Sequence, residues 1–476
     1  MPVTGAEVGG RPSSRAQPTA SPVAERGRMG RLVDFADQHP LWAVATAASL
    51  ARLLAVLLLG PLRPGVVVPD EQQYLDLADF VASGRGAEAW QPEYGQSLYD
   101  STAAFMRPLT RLTEIFGPHQ LNGQTIAAVF GVATALLTTA LALRVVRVRY
   151  AWLAGMTVAL LPSQVFWSSV VLRESMVWAA LAGLAFALAV ATSARSWRGL
   201  LACAPVATLC LWVLADLRGQ TQFVAGIALV LASLVARNTR RVAVPLGALV
   251  LAAAVPWGAG LGPAGYSFVA NAGPSLAVTR TNLSIGADSS FIDRTPLPSE
   301  REGRAPSRTG APGASAAPNA PGASGVPDVP GASGARGAGS GVSGAVVTAP
   351  SGERFEVDDS AGAILSAFPR GFVAVTARPF PWEPARNAGL FVAKIENAGW
   401  IVLYLLAIAG VVAGWRRRST LAFPVILTGA VVAVAAVTQA NLGTAFRHRG
   451  QVLWALAVLA AVGAQYLVDR RQSASE

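Results

Sequence analysis

The sequence predicts an all-α integral membrane protein with about ten transmembrane helices and two long extracytoplasmic segments, and three observations carry that reading. Of its 476 residues, 53% are hydrophobic and only 14% charged, with mean hydropathy +0.44, whereas a soluble domain carries about 25% charged residues. Apolar stretches recur along the chain, most of them near the roughly 20 residues that cross a hydrocarbon core. Arginines gather at every second gap between these stretches, the asymmetry that marks cytoplasmic loops. The net charge of +11 is almost wholly Arg, with Lys394 the only lysine. Because the arginines sit in short loops beside apolar spans, topology accounts for them better than nucleic-acid binding does.

Residues 1–40 read as a disordered cytoplasmic tail, rich in Arg, Pro, Ser and Gly to about Gly30. The run from Leu41 to Leu62 is too long for a signal-peptide core and lacks a cleavage site, so it is expected to remain as a span. Spans are predicted at 41–61, 121–143, 151–170, 175–193, 199–215, 222–236 and 242–260, then at 399–414, 421–438 and 452–468. Basic clusters follow spans two (Arg144, Arg147, Arg149), four (Arg195, Arg198), six (Arg237, Arg240, Arg241), eight (Arg416 to Arg418) and ten (Arg470, Arg471). An even count of ten places all of them, with both termini, on the cytoplasmic side of the plasma membrane. Cys203 and Cys210 lie seven apart in one apolar segment; at ~1.5 Å rise per residue a disulfide between them is out of reach.

The two long segments then fall outside. In the first, 63–120, Tyr74, Leu77, Ala78 and Val81 share one helical face while Asp76 and Asp79 lie on another, as in a helix along the membrane interface. The second interrupts a membrane domain that runs over 41–293 and resumes over 352–476. Its middle, 294–351, is rich in Gly, Pro, Ala and Ser with repeated Pro-Gly-Ala-Ser units, and is expected to be disordered. The flanks at 271–291 and 364–384 look ordered, and Arg378 to Trp382 suggests a rigid turn at headgroup level.

Chemistry-bearing residues concentrate on the outer side. Asp70 and Glu71 follow Pro69 directly after span one. A carboxylate there fits a general base or a divalent-cation ligand. It equally fits a helix start, with Asp70 capping and Glu71 favouring the N-terminal dipole. The stretch "PDEQQYLDLADFVASG" resembles the opening external loop of GT-C glycosyltransferases. "LLPSQVFWSSVVLRESMVW" (Leu160 to Trp178) and "NLGTAFRHRGQ" (Asn441 to Gln451) resemble segments of bacterial members attached to cell-surface polysaccharide synthesis. GT-C enzymes are polytopic proteins that use polyprenyl-phosphate sugars, among them protein O-mannosyltransferases and aminoarabinose transferases. The resemblance implies inverting sugar transfer on the outer face, from a polyprenyl-phosphate-linked donor to a glycan, lipid or protein acceptor. It also implies an acidic base in the first loop, at Asp70 with Glu71 beside it.

The remaining polar outliers are candidates for the donor's phosphate. Arg173 between spans three and four offers a bidentate fork, or snorkels to the boundary; its neighbour Glu174 need not pair with it, because adjacent helical residues diverge. Asp216 and Arg218 close span five and read either as a structural pair or as site residues. Arg447, His448 and Arg449, expected in the outer loop before span ten, oppose the positive-inside trend and suit a phosphate headgroup, lipid contact, or pairing with Glu174 or Asp70. Arg370, Arg378, Trp382, Glu383 and Glu396 flank the second segment. No zinc spacing, P-loop or dinucleotide fingerprint occurs, so a divalent cation at the acidic pair is the one cofactor reading. Alternatives to a transferase are a polymerase or ligase acting on lipid-linked oligosaccharides, or a transporter of lipid-linked sugars, for which Arg52 is the main charge inside a span.

Overall fold

Long runs of Leu, Ala and Val with few breakers leave the backbone one way to satisfy itself away from water, which is the α-helix. The computed structural model describes residues 28–59, 69–91, 95–193, 197–235, 345–348, 354–357, 361–384, 388–415, 418–438 and 442–476. They are all-α apart from one short hairpin, with seven helices long and apolar enough to cross a membrane. The spans predicted at 41–61, 121–143, 175–193 and 421–438 correspond to α2 (Pro40–Leu59), α7 (Gln120–Ala142), α10 (Glu174–Ser193) and α14 (Arg418–Thr438).

Five spans take a different form. The third is broken into α8 (Val148–Leu160) and α9 (Pro162–Trp167), because Pro162 lacks the N–H that would continue the helix. The fifth and sixth are one helical run, α11 (Trp197–Val235), bent at Arg218, whose φ of −156° and ψ of 82° lie outside the helical region. Cys203 sits within electrostatic reach of Arg144, whereas Arg218 meets Glu174 at the other end of the bundle. Val235 lines an apolar cavity with Trp415 and Leu421, so the second arm runs back alongside the first. The eighth span begins eleven residues earlier than expected, as α13 (Ala388–Gly414), and the tenth extends both ways as α15 (Leu442–Ser475). The seventh, 242–260, lies outside the described residues, as does the flank at 271–291.

Helix α1 (Arg28–Gln38) stands within the stretch expected to be disordered; its Asp37 accepts a 2.8 Å hydrogen bond from Trp152 Nε1, so docking on α8 orders it. Strand β1 (Ala345–Thr348) lies inside the expected disordered insertion and pairs antiparallel with β2 (Arg354–Val357). The rest of that insertion, and residues 1–27, lie outside the described residues.

Two ends of the bundle differ in chemistry. At one, Arg147 pairs with Asp469, and the Arg144 guanidinium lies over Phe186. At the other sit α3 (Pro69–Ala82) and α6 (Ala103–Phe116), covering the ends of α7, α10, α11 and α15. The amphipathic face read from sequence is the one α3 buries: Tyr74, Leu77 and Ala78 are covered, Asp76 and Asp79 exposed. Tyr74 and Phe105 meet edge to face at 5.6 Å between centroids, joining α3 to α6. Helices α13 and α15 run parallel: Asn397 meets Arg449, Gly410 abuts Leu459, and Gly414 faces Val462. Helix α12 (Ala361–Ala377) packs on the C-terminal part of α14, with Gly371 against the Ala436 carbonyl.

Candidate functional site

The covered end gathers charged residues from four segments of the chain. Pro69 starts α3 in the position where its missing N–H costs nothing, and this places Asp70 and Glu71 in the first turn, beside the positive helix dipole. From there the two carboxylates diverge. Asp70 stays partly exposed and pairs with Arg447 at 2.8 Å, across 377 residues of sequence. Glu71 is fully buried and accepts hydrogen bonds of 2.9 Å from Gln120 Nε2 and from the Val171 backbone N–H. It ties α3 to α7 and to the bend before α10, whereas Asp70 faces the open side.

Arg447, His448 and Arg449 are not in a loop. They lie in the first turns of α15, because nothing before them stops a helix and long side chains reach outward from it. The three diverge at 100° per residue. Arg447 points to Asp70, with its guanidinium carbon 4.7 Å from the centre of the Trp167 ring. His448 Nε2 lies 3.5 Å from Arg218 Nη1; a guanidinium only donates, so the imidazole accepts there. Arg449 points elsewhere. It is buried, and it donates to the Val375 and Arg378 carbonyls and, at 3.1 Å, to Asn397 Oδ1. That arginine braces the turn between α12 and α13.

Arg218 occupies the bend of α11 and pairs with Glu174 at 2.6 Å. The sequence-predicted pair of Asp216 with Arg218 does not form; Asp216 instead accepts from the Ala104 N–H and so caps α6. Arg173 and Glu174 do diverge, as adjacent residues should: Arg173 reaches the Ser101 carbonyl at 3.4 Å. Among the described residues no carboxylate lies within ion-pair range of Arg173.

The cluster therefore brings together Asp70, Arg173, Glu174, Arg218, Arg447 and His448, leaves Glu71 beneath it, and excludes Arg449. Arg218 feels the charge of Arg447, and both feel Glu174. Two donors, Arg218 Nε and Arg447 Nε, and one acceptor, Glu174 Oε2, are buried without a hydrogen-bond partner. Buried guanidinium N–H groups left open are what an anion with several oxygens would satisfy. Tyr74 is the further residue at this site. Burial pushes its phenol above the usual range, so it remains a neutral donor near Asp70 and Glu174. Trp167 was the one member not singled out from sequence, although it lies in the quoted "QVFWSS" run; its signal was an aromatic placed just before a non-helical bend.

The acidic side chains at this end are engaged by donors of the chain itself. Asp70 and Glu174 each face an arginine, Glu71 takes two N–H donors, and no three His, Cys, Asp or Glu side chains gather among the described residues. Of the flanking candidates, Glu383 pairs with Arg378 at 2.6 Å, Trp382 is exposed and stacked on Phe380, and Glu396 lies buried against α9. Compared with family models, curated proteins and solved structures, the chain matches none.

Proposed function

We propose that this chain is a membrane glycosyltransferase of the GT-C kind, moving a sugar from a polyprenyl-phosphate donor to a cell-envelope acceptor at the outer face of the plasma membrane. The observation that carries the reading is the convergence of Arg173, Arg218 and Arg447 from three separate segments beside one partly exposed carboxylate, with two buried guanidinium N–H groups open. Arginine matches phosphate bidentately, and a phosphate between these three would complete their hydrogen bonding. On this reading the donor phosphate takes Arg447 from Asp70. The released carboxylate accepts the acceptor hydroxyl's proton as that oxygen attacks the anomeric carbon. The bond from the anomeric carbon to the phosphate oxygen breaks with inversion, and its electron pair leaves with the phosphate, whose charge the arginines hold. Phosphate is already a good leaving group, so positioning and charge stabilisation supply most of the rate.

The accompanying topology has ten spans with both termini cytoplasmic. Its support is that both ends of α11 and the Gly414 end of α13 lie toward the Arg147 side, while α13 starts at the opposite side. That arrangement is the one expected if one of the ten proposed spans falls between Val235 and Ala388.

The test is an assay of the purified chain with a panel of polyprenyl-phosphate sugars. Asp70→Asn is expected to lower transfer by about 10²–10⁴-fold, the usual contribution of a general base, with unchanged melting. Wild-type turnover in that variant rejects Asp70 as the base. Activity only with diphosphate-linked oligosaccharides would favour a polymerase or ligase. A transporter of lipid-linked sugars is the second reading favoured by an observation, namely the broken α8/α9 helix beside the buried Arg52. Movement of labelled lipid between leaflets without a new glycosidic bond would select it.

A further inference from the structure

The break between α8 and α9 removes specific hydrogen bonds. In an unbroken helix the Val158 carbonyl would accept from residue 162 and the Ala159 carbonyl from residue 163. Residue 162 is proline and has no N–H. The Ser163 N–H turns instead to Glu396 Oε2 at 2.7 Å, and its hydroxyl donates to Glu396 Oε1 at 2.5 Å. The Ala159 carbonyl that lost this donor accepts from Arg52 Nη1 at 3.1 Å. One backbone bond has thus been replaced by two side chains of opposite charge from two other helices, Arg52 of α2 and Glu396 of α13. Both are buried, at 1% and 7% exposure, which makes each unusual in a hydrocarbon setting. The signs suit the dipoles: a cation meets the C-terminal end of α8 and an anion the N-terminal end of α9. The Trp400 indole N–H holds Glu396 Oε1 at 2.8 Å. Arg52 fits only because residue 131 is glycine, since a Cβ there would collide with its Nε and with Ser168.

We infer that Arg52 and Glu396 are positioning residues that hold the broken helix open so that α9 sets Trp167 beneath Arg447. This rests on the reading of Arg447 as a donor-phosphate ligand. Helix α9 is a single short piece whose last residue carries the ring on which the Arg447 guanidinium lies. If either hydrogen-bonding side chain is lost, the Ala159 carbonyl or the Ser163 N–H is left without its partner and the break frays. Trp167 then moves, and Arg447 loses the surface that fixes its plane.

The test uses the full chain in lipid nanodiscs, with Arg52→Met and Glu396→Met to remove the contacts and Arg52→Lys and Glu396→Gln to keep a donor and an acceptor. Two readouts are taken: amide hydrogen exchange over residues 162–168 without ligand, and binding of sugar-free polyprenyl phosphate. Each Met variant is expected to speed exchange over that segment and weaken binding about tenfold, the equivalent of one lost hydrogen bond. The Lys and Gln variants should stay near wild type, and the double Met variant should be no worse than the worse single. Where Arg52→Met does not accumulate, Arg52→Leu takes its place with the same expectation. Unchanged exchange at 162–168 overturns the inference, as does an equal rise across the whole chain. If the wild-type chain fails to bind polyprenyl phosphate, the donor reading falls, while the exchange data still decide whether Arg52 and Glu396 hold the break.

Discussion

At the scale of residues, two adjacent carboxylates have separated into different roles because a helix points neighbours about 100° apart. Glu71 is buried under two N–H donors, and Asp70 is left toward solvent with a cation. Glu71→Ala leaves the Val171 N–H buried without a partner and removes the acceptor of the half-buried Gln120 Nε2. It is expected to cost about 1–3 kcal/mol for each group left unpaired, read as a lower melting temperature of the purified protein. Asp70→Asn should leave melting unchanged and remove only transfer, so the pair of variants separates structure from chemistry. Sequence made the importance of this dipeptide legible through its place after the first span, but not its division of labour, which depends on Gln120 and Val171, 49 and 100 residues away. Arg449 shows the converse. It looked like a third cation of one cluster, and only the turn at 375–378 decides that its donors are spent on backbone carbonyls.

At the scale of elements, what sequence showed was hydrophobic length, and what it hid was continuity. The α11 bend was hidden because Arg218, Gln220 and Gln222 read as a polar loop, whereas a helix tolerates them when they face partners such as Glu174. The α13 and α15 starts were hidden because charged and polar residues interrupt their opening turns, Lys394, Glu396 and Asn397 in α13 and Arg447, His448 and Arg449 in α15, and hydropathy assigns such stretches to loops. Packing between these two helices rests on glycine: a Cβ on Gly463 would run into the Leu406 carbonyl, and one on Gly410 into that of Leu459. Close backbone approach of this kind is how helices associate where no hydrophobic force draws them together. The obstructing atoms are backbone and cannot swing aside, so Gly463→Ala should lower stability by about 1–3 kcal/mol, as overpacking does. Gly429→Ala in α14, where nothing lies within 4 Å, is the matched control and should be neutral or slightly stabilising. Equal melting shifts in the two variants would reject the close-approach account.

At the scale of the whole molecule, sidedness joins the arginine pattern to the site. The positive-inside rule assigns Arg144 and Arg147 to the cytoplasm, and Asp469 is drawn to Arg147 at that same end. Asp70, Glu174, Arg218 and Arg447 meet at the opposite end, so the cations that break the arginine trend are the ones with a cluster to serve. The decisive point is α11, which by length alone counts as a single crossing of 33 residues. Thirty-three residues would reach about 50 Å if straight, well beyond a ~30 Å core, and the bend at Arg218 resolves the excess by turning the chain back. On the proposed orientation, a two-arm α11 puts Gln220 outside and Val235 inside; a single straight crossing would put them at different depths of one path and move every later helix to the other side. In a Cys203→Ala/Cys210→Ala background, single cysteines at Gln72 and Gln220 should react with a membrane-impermeant thiol reagent in intact cells. Cysteines at Gln38 and Ser475 should react only after permeabilisation. If Ser475 labels from outside while Gln38 does not, the chain crosses an odd number of times. The α11 bend would then not be a reversal within the membrane, and the alignment of all basic loops on one face would be lost with it.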